Sequence, residues 1–128
     1  MNVLIIEPDH ILTKVYKKAF EQAGLQVDCC GSAQEAIIKI DKNMPDAVVL
    51  ELQLAGHSGI EFLHEFRSYD DWQKVPVFIY SSVPEYAFAV DPKSWAAFGV
   101  KRYFYKPKSP INLLIGAVKQ AISNGSDT

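Results

Sequence analysis

Short apolar runs alternate with stretches of helical periodicity along the chain, and this alternation restricts the fold more than any other feature. Runs such as 3–6 and 47–50 contain no polar residue, which is typical of strands buried on both faces of a parallel sheet. Apolar residues at helical spacing follow each strand-like run. Five strand–helix units of this kind predict an α/β fold with a parallel sheet, right-handed crossovers and helices on both faces.

Turn and capping residues indicate where these elements begin and end. Asp9 is placed to cap the first helix and Gly24 to end it. Ser32 and Ser58 each precede a glutamate by three residues, which is the capping-box pattern of a helix start. The predicted strands are residues 3–6, 26–30, 47–51, 75–80 and 100–105.

The connection after the fourth strand is less regular. Pro84 and the Asp91-Pro92 pair are two separate helix-start signals, and they predict a broken or shifted helix that ends near Phe98. A last helix is expected after Ser109-Pro110. We interpret residues 1–123 as one domain and residues 124–128 as a flexible tail or the start of a linker.

Composition excludes several classes of function. The chain has 128 residues, a net charge of −2 and no run of Lys or Arg, so nothing predicts direct binding to nucleic acid or to a membrane surface. No apolar run approaches the ~20 residues that a bilayer span needs, and no signal peptide opens the chain. Cys29 and Cys30 are adjacent and poorly placed to pair with each other. Free thiols and no export signal lead us to expect a cytoplasmic protein.

Polar residues follow four of the five predicted strands. Glu7 comes after the first strand, Glu51 ends the third, Ser81 and Ser82 follow the fourth, and Lys106 follows the fifth. The carboxyl ends of parallel strands lie at one edge of the sheet, where open α/β sheets bind ligands. Each residue alone has an ordinary interpretation, as a solvated or turn residue. Taken together, the acids can hold Mg²⁺, and the hydroxyl and the ammonium can bind phosphate oxygens. This combination suits a phosphoryl group carried on a carboxylate.

These residues, in this order, resemble the receiver domain of bacterial two-component response regulators. The resemblance covers nearly the whole chain. It implies a flavodoxin-like (CheY-like) three-layer (βα)5 fold with strand order 2-1-3-4-5. It also implies a carboxylate after the third strand that accepts a phosphoryl group from a histidine kinase, with Mg²⁺ held by an acidic pair. The supporting segments are 4–7 with Asp9, Pro45-Asp46, 54–59, 75–77 with Ser81, Gly99 with Tyr103, and Lys106-Pro107.

The resemblance further implies a signalling surface formed by the fourth helix, the fifth strand and the fifth helix. Tyr103 is the aromatic residue that would change rotamer, and Tyr86, Phe88 and Trp95 are candidates for contact with a partner, since aromatic residues are enriched in interface hot spots. Trp95 fits a core position equally well. We expect one or more protein partners, with a histidine kinase or an output domain among the candidates, and a homodimer stays open.

Two departures from the family pattern fall at the site itself. The acceptor position 51 holds Glu rather than Asp, which lengthens the side chain by roughly 1.5 Å. Pro8 stands where the second acid of the pair belongs, and Asp9 comes one residue too late. A misplacement of ~1 Å can reduce a reaction rate on the order of 10²-fold. With Glu7, Glu51 and Gln53 as the remaining candidate ligands, we expect weak or absent Mg²⁺ binding, no other cofactor and no enzymatic activity.

The leading hypothesis is therefore a phosphorylation-independent receiver-like domain that acts through protein contacts. Glu51 then either mimics a phosphoryl group in part or pairs with Lys106 and fixes one conformation. The alternative is a competent receiver that accepts a phosphoryl group from a histidine kinase with Mg²⁺. Weak self-catalysed transfer would then use Glu51 or a nearby acid, with Ser81 and Lys106 as phosphate contacts. A flavodoxin-like binder of small molecules is disfavoured, because no glycine-rich phosphate loop follows the first strand.

Overall fold

A computed structural model describes residues 1–54, 58–88 and 90–126. Residues 55–57 of the loop after the third strand, Ala89, and residues 127–128 of the expected tail lie outside the described residues. The described chain forms one parallel sheet with strand order β2-β1-β3-β4-β5. The predicted fold class is thereby confirmed. Within the described residues no helix is long and apolar enough to cross a membrane.

The strands are short and each is followed by a helix. The strands are β1 Asn2–Ile6, β2 Gln26–Cys30, β3 Ala47–Leu50, β4 Val77–Ser81 and β5 Val100–Tyr105. The α-helices are α1 His10–Gln22, α2 Ala33–Lys42, α3 Gly59–Arg67, α4 Pro92–Ala97 and α5 Ile111–Ser126. Three 3₁₀ turns lie at Asp70–Trp72, Glu85–Phe88 and Lys106–Lys108.

The central strands are apolar throughout because the sheet has a core on each face. In β3, Val48 and Leu50 point into the core under α2, α3 and α4, whereas Ala47 and Val49 point into the core under α1 and α5. All four side chains are buried. The structure is therefore a three-layer α/β/α sandwich, and in its central strands β1, β3 and β4 polar residues lie only at the strand ends.

The predicted capping residues form hydrogen bonds at the helix starts, as expected. The Asp9 carboxylate accepts hydrogen bonds from the amides of Ile11 (2.9 Å) and Leu12 (3.1 Å). The Ser32 and Ser58 hydroxyls each accept from the amide three residues later, at 3.2 Å. A cap of this kind stabilises a helix by about 1 kcal/mol.

Several boundaries differ from the predicted ones. β1 begins at Asn2, and β4 ends at Ser81, which therefore lies in the strand rather than after it. β4 begins at Val77 rather than at residue 75, because Pro76 has no amide proton to donate to a neighbouring strand. β3 ends at Leu50, so Glu51 lies just beyond the strand. The predicted tail boundary at residue 123 falls inside α5, which continues to Ser126. The irregular segment after Pro84 is confirmed as a 3₁₀ turn followed by the short helix α4.

Arg67 joins the ends of three elements on one side of the sheet. Its guanidinium donates to the main-chain carbonyls of Phe98 (2.5 Å), Trp72 (2.6 Å) and Val75 (2.6 Å). Gly99, at φ +75°, lies directly against this guanidinium, and a side chain there would collide with it. Arg67 therefore fixes the end of α4 and the start of β4 relative to α3.

We expect Arg67→Met to destabilise the domain by on the order of 3 kcal/mol, because three carbonyls lose a charged donor at once. Urea unfolding measures the effect. Arg102→Met is the matched control, since the Arg102 guanidinium is exposed and lies over the Phe104 ring at 4.4 Å. The control should lose less than about 1 kcal/mol. Equal losses in the two variants would contradict this role of Arg67.

Candidate functional site

The polar strand ends meet at the carboxyl edge of the sheet, as predicted. Glu7 directly follows β1, Glu51 directly follows β3 and Lys106 directly follows β5. Adjacent strands are in parallel register, with Ile6 opposite Leu50. The next residues, Glu7 and Glu51, therefore leave the sheet side by side.

Lys106 lies between these two carboxylates. Its Nζ is 2.5 Å from Glu7 Oε1 and 3.1 Å from Glu51 Oε1. Both glutamates are only 4% exposed, and the Lys106 side chain is 14% exposed. The ion pairs are therefore largely shielded from water, so they are stronger than a surface pair and costly to break.

The carboxylate of Glu51 is also hydrogen-bonded to the chain around it. Oε1 accepts from the Ser82 amide (3.2 Å) and weakly from the Ser82 hydroxyl (3.4 Å). Oε2 accepts from the Gln53 amide (3.2 Å). Both oxygens of Glu51 thus have partners, and β3, β4 and β5 are tied together at this one side chain.

These contacts determine the ionisation states of Glu51 and Lys106. Burial opposes ionisation of Glu51, but the neighbouring Ser81 hydroxyl, the charge of Lys106 and the Gln53 amide outweigh it and lower the pKa of the carboxyl. Burial likewise disfavours the Lys106 ammonium, yet its hydrogen bond to Glu7 and the charge of Glu51 raise its pKa. Glu51 is therefore a carboxylate and Lys106 an ammonium at neutral pH.

Two tyrosines that the sequence analysis did not single out lie beside Lys106, with their ring centroids 5.5 Å apart. The Tyr16 and Tyr80 rings lie 5.7 and 5.8 Å from Lys106 Nζ, within the range of a cation–π attraction. The Tyr80 hydroxyl donates to the Ser109 carbonyl at 2.7 Å. Tyr80 precedes the serine pair in sequence, but no motif marks Tyr16, which reaches the site from α1.

The two serines at the end of β4 have different environments. Ser81, the candidate phosphate contact, is fully buried, and its hydroxyl accepts from the Val83 amide at 3.1 Å. Ser82 is exposed and makes the direct contacts with Glu51. The only sequence signal for Ser82 was its position next to Ser81. The sequence alone could not show which of the two serines contacts Glu51.

The candidate magnesium ligands have other partners among the described residues. Mg²⁺ requires nearly octahedral oxygen ligands at ~2.0–2.1 Å, and the Lys106 ammonium already contacts both candidate acids. The Asp9 carboxylate caps α1, and Pro8 has no side-chain oxygen. The exposed Gln53 side chain accepts from the Ser82 hydroxyl (3.4 Å). Among residues 1–54, 58–88 and 90–126, no group of three His, Cys, Asp or Glu could hold a metal ion.

The site is connected to Tyr103 through the chain that follows β4. Beyond Ser82, the Val83 carbonyl accepts a short hydrogen bond from the Tyr103 hydroxyl. Burial raises the pKa of Tyr103 to about 12, so this hydroxyl keeps its proton. The Tyr103 ring packs edge-on against Trp95, with centroids 5.6 Å apart.

The candidate partner residues differ in exposure. Trp95 is 5% exposed and belongs to the core beside α3. Phe88 is half-buried, with its ring centroid 6.5 Å from that of Tyr103. Tyr86 is 86% exposed. Of these three aromatic residues, Tyr86 is the one whose whole ring is available to another molecule.

Comparison with known proteins agrees with this architecture. The KDP operon transcriptional regulatory protein KdpE of Escherichia coli (strain K12) is 31% identical over 84 residues, covering 66% of this chain and 36% of KdpE. The phosphate regulon transcriptional regulatory protein PhoB of Rhizobium meliloti (strain 1021) is 26% identical over 113 residues, covering 88% of this chain and 48% of PhoB. The chain thus spans less than half the length of either relative.

A solved structure confirms the fold independently. The crystal structure of a sensor protein from Polaromonas sp. JS666 superposes with a TM-score of 0.86 at 21% identity, over 96% of each chain. The family model described as the response regulator receiver domain matches residues 3–118. The chain therefore belongs to the receiver domain family of response regulators.

Proposed function

We propose that this chain is an atypical receiver domain that signals through protein contacts without being phosphorylated. One observation carries the proposal: the Lys106 ammonium bridges Glu7 and Glu51 at 2.5 and 3.1 Å, beside a proline where a second metal-binding acid belongs. Phosphoryl transfer to a carboxylate depends on a cation that neutralises the developing charge and holds the reacting groups in line. Here the acids that would hold such a cation are already paired.

The contacts of Glu51 make it a poor nucleophile. Both oxygens accept hydrogen bonds, from Lys106 and Ser82 on one side and from Gln53 on the other. An attacking oxygen would have to give up these partners inside a site from which water is largely excluded. The Glu51 side chain is also longer than that of Asp, so its carboxylate oxygens lie away from the position that an Asp oxygen would occupy.

The same contacts support a single fixed conformation. Glu51 holds the Ser82 amide, and the next residue, Val83, accepts from Tyr103. We propose that Glu51 permanently holds the segment after β4 and thereby keeps the Tyr103 side chain against Trp95. A carboxylate has less charge and fewer acceptor oxygens than a phosphoryl group, so Glu51 substitutes for one only in part.

The proposed partner is a protein that binds the surface formed by α4, β5 and α5. The exposed Tyr86 ring stands near this surface, and Lys101 and Arg102 are exposed on the edge strand β5. A histidine kinase, an output domain such as the transcriptional relatives would carry, and a second copy of this chain are the candidates. We place the module in the cytoplasm, consistent with the free thiols of Cys29 and Cys30.

Incubation with acetyl phosphate and Mg²⁺, followed by intact-mass measurement, tests the proposal. The protein should gain no phosphoryl group, because Pro8 leaves a cation without its second acid and the Glu51 carboxylate is displaced from the position of an Asp acceptor. The control is the double variant Pro8→Asp/Glu51→Asp, which restores the family's acids. We expect it to form the adduct on the order of 10²-fold more readily. An adduct on the unmodified protein that maps to Glu51 would refute the proposal in favour of a competent phosphoacceptor.

The charge of Glu51 predicts a specific dependence of stability on pH. Its native pKa is lowered from 4.5, so its contribution to stability is present above that value and is lost as pH falls through the native pKa. Glu51→Gln should therefore be less stable than the parent by about 1–3 kcal/mol at about pH 7. The difference in unfolding free energy between the parent and Glu51→Gln should shrink toward about pH 3. Urea unfolding at both pH values measures it, and a gap independent of pH would show that Glu51 is not held as an anion.

A further inference from the structure

We propose that a groove at the amino edge of the sheet, opposite to the edge that carries Lys106, docks an acidic segment of a partner protein. The inference rests on the proposed function and deepens it, because it names the chemistry of the partner. The groove has a volume of about 1170 Å³ and lies between α5 and the amino ends of β3, β4 and β5. This volume exceeds the ~300–1,000 Å³ of typical small-molecule pockets, so it suits a polypeptide segment. We call it the amino-edge groove; its walls include residues 44–46, 74–76 and 101–102 and the side of α5 that carries residues 113, 116, 117 and 121.

Large apolar side chains from separate segments are exposed in the amino-edge groove. Met1 is 58% exposed, Met44 53% and Leu113 47%. They come from the residue before β1, from the connection between α2 and β3, and from α5. Only the fold brings them to one place, and exposed apolar surface that is gathered with polar residues around it is typical of a protein-binding site.

The packing of the domain itself does not require Gly116. This residue lies in the interior of α5, where glycine destabilises a helix relative to alanine. A Cβ atom added there would meet no atom within 4 Å, so no close neighbour in the chain accounts for the glycine. It leaves the main chain of α5 uncovered at the groove, which allows another polypeptide to pack directly against the helix.

The charged side chains of the groove favour an acidic partner. Lys74, Lys101 and Arg102 line it and are exposed, and none of them forms a salt bridge with another residue that the structure describes. Asp46 and Asp71 also line it, but the Asp46 carboxylate already accepts a hydrogen bond from a main-chain amide at 2.7 Å. Acidic side chains on a partner would therefore pair with cations that have no such partner within the domain.

A second copy of this chain suits the groove less well. A two-fold dimer brings the same surface of both copies together, so Lys101 and Arg102 of one copy would approach the same cations of the other. Like charges that meet across an interface are unfavourable. An acidic partner avoids this repulsion.

Fluorescence anisotropy with a labelled helical peptide of Glu, Ala and Leu, whose leucines recur at helical spacing, tests the inference. The same peptide with Lys in place of every Glu is the control for charge. We expect the acidic peptide to bind the parent saturably and roughly tenfold or more tightly than the basic peptide. Gly116→Gln, which places a good helix former in the groove, and Lys101→Glu/Arg102→Glu should each weaken binding of the acidic peptide about tenfold.

Lys14→Glu/Lys18→Glu is the matched control for the charge reversal. It changes two exposed lysines of α1, far along the chain from the groove, and alters the net charge by the same amount. We expect it to change the affinity for the acidic peptide by less than about twofold, because it leaves the groove itself intact.

Thermal unfolding tests the role of Gly116 without any partner. Gly116→Ala should raise the Tm of the free domain by roughly 2–4 °C, because alanine favours the helix and its Cβ meets no atom. A lowered Tm would show that the domain itself needs the glycine and would count against the inference.

The inference is overturned if the acidic peptide binds no more tightly than the basic one, if Gly116→Gln leaves its affinity unchanged, or if the α1 variant loses as much affinity as Lys101→Glu/Arg102→Glu. It is also overturned if sedimentation shows a dimer of the parent that Gly116→Gln dissociates, because a second copy would then occupy the groove. None of these outcomes concerns transfer of a phosphoryl group, so the acetyl phosphate measurement decides the proposed function separately.

Discussion

The burial of two carboxylates against one ammonium is the interaction on which the site depends. Removing Glu7 and Glu51 from water is unfavourable, and the Lys106 ammonium offsets that cost only because it touches both. The arrangement joins the ends of β1, β3 and β5, and the hydrogen bonds of Glu51 extend it to the residues after β4. One charged cluster thus sets both the chemistry of the pocket and the positions of the segments around it.

The parallel sheet makes this cluster possible. Apolar residues fill both faces of β1, β3 and β4, so polar residues are excluded from the middle of these three strands and collect where they end. Since every strand runs in the same direction, these ends converge at one edge. The family uses this edge for phosphoryl chemistry, and in this chain Lys106 forms ion pairs with Glu7 and Glu51 there.

Much of this arrangement could be predicted from the sequence, because it depends on local patterns. Apolar runs indicated the strands, capping patterns at Asp9, Ser32 and Ser58 indicated the helix starts, and strand ends indicated Glu7, Glu51 and Lys106. The pairing of Lys106 with Glu51 was one of two alternatives, and the structure adds Glu7 as its closer partner.

The features that sequence analysis missed depend on contacts between distant residues. Tyr16 reaches Lys106 from a separate helix, and Arg67 reaches carbonyls on three segments. Both contacts are set by side-chain packing after the sheet has formed, and no local spacing encodes them. The choice between Ser81 and Ser82 as partner of Glu51 likewise depends on how β4 ends.

On the proposed function, the pocket is a receiver site in which Lys106 pairs with both acids and Glu51 is not phosphorylated. A crystal structure of the protein grown with Mg²⁺ and a beryllofluoride salt, which imitates a phosphoryl group on a carboxylate, tests this account most directly. The account predicts that Lys106 Nζ remains between Glu7 and Glu51, with no metal ion and an unmodified Glu51. A hydrated Mg²⁺ ion bound to Glu7, with beryllofluoride on a Glu51 oxygen and Lys106 displaced toward it, would contradict the account.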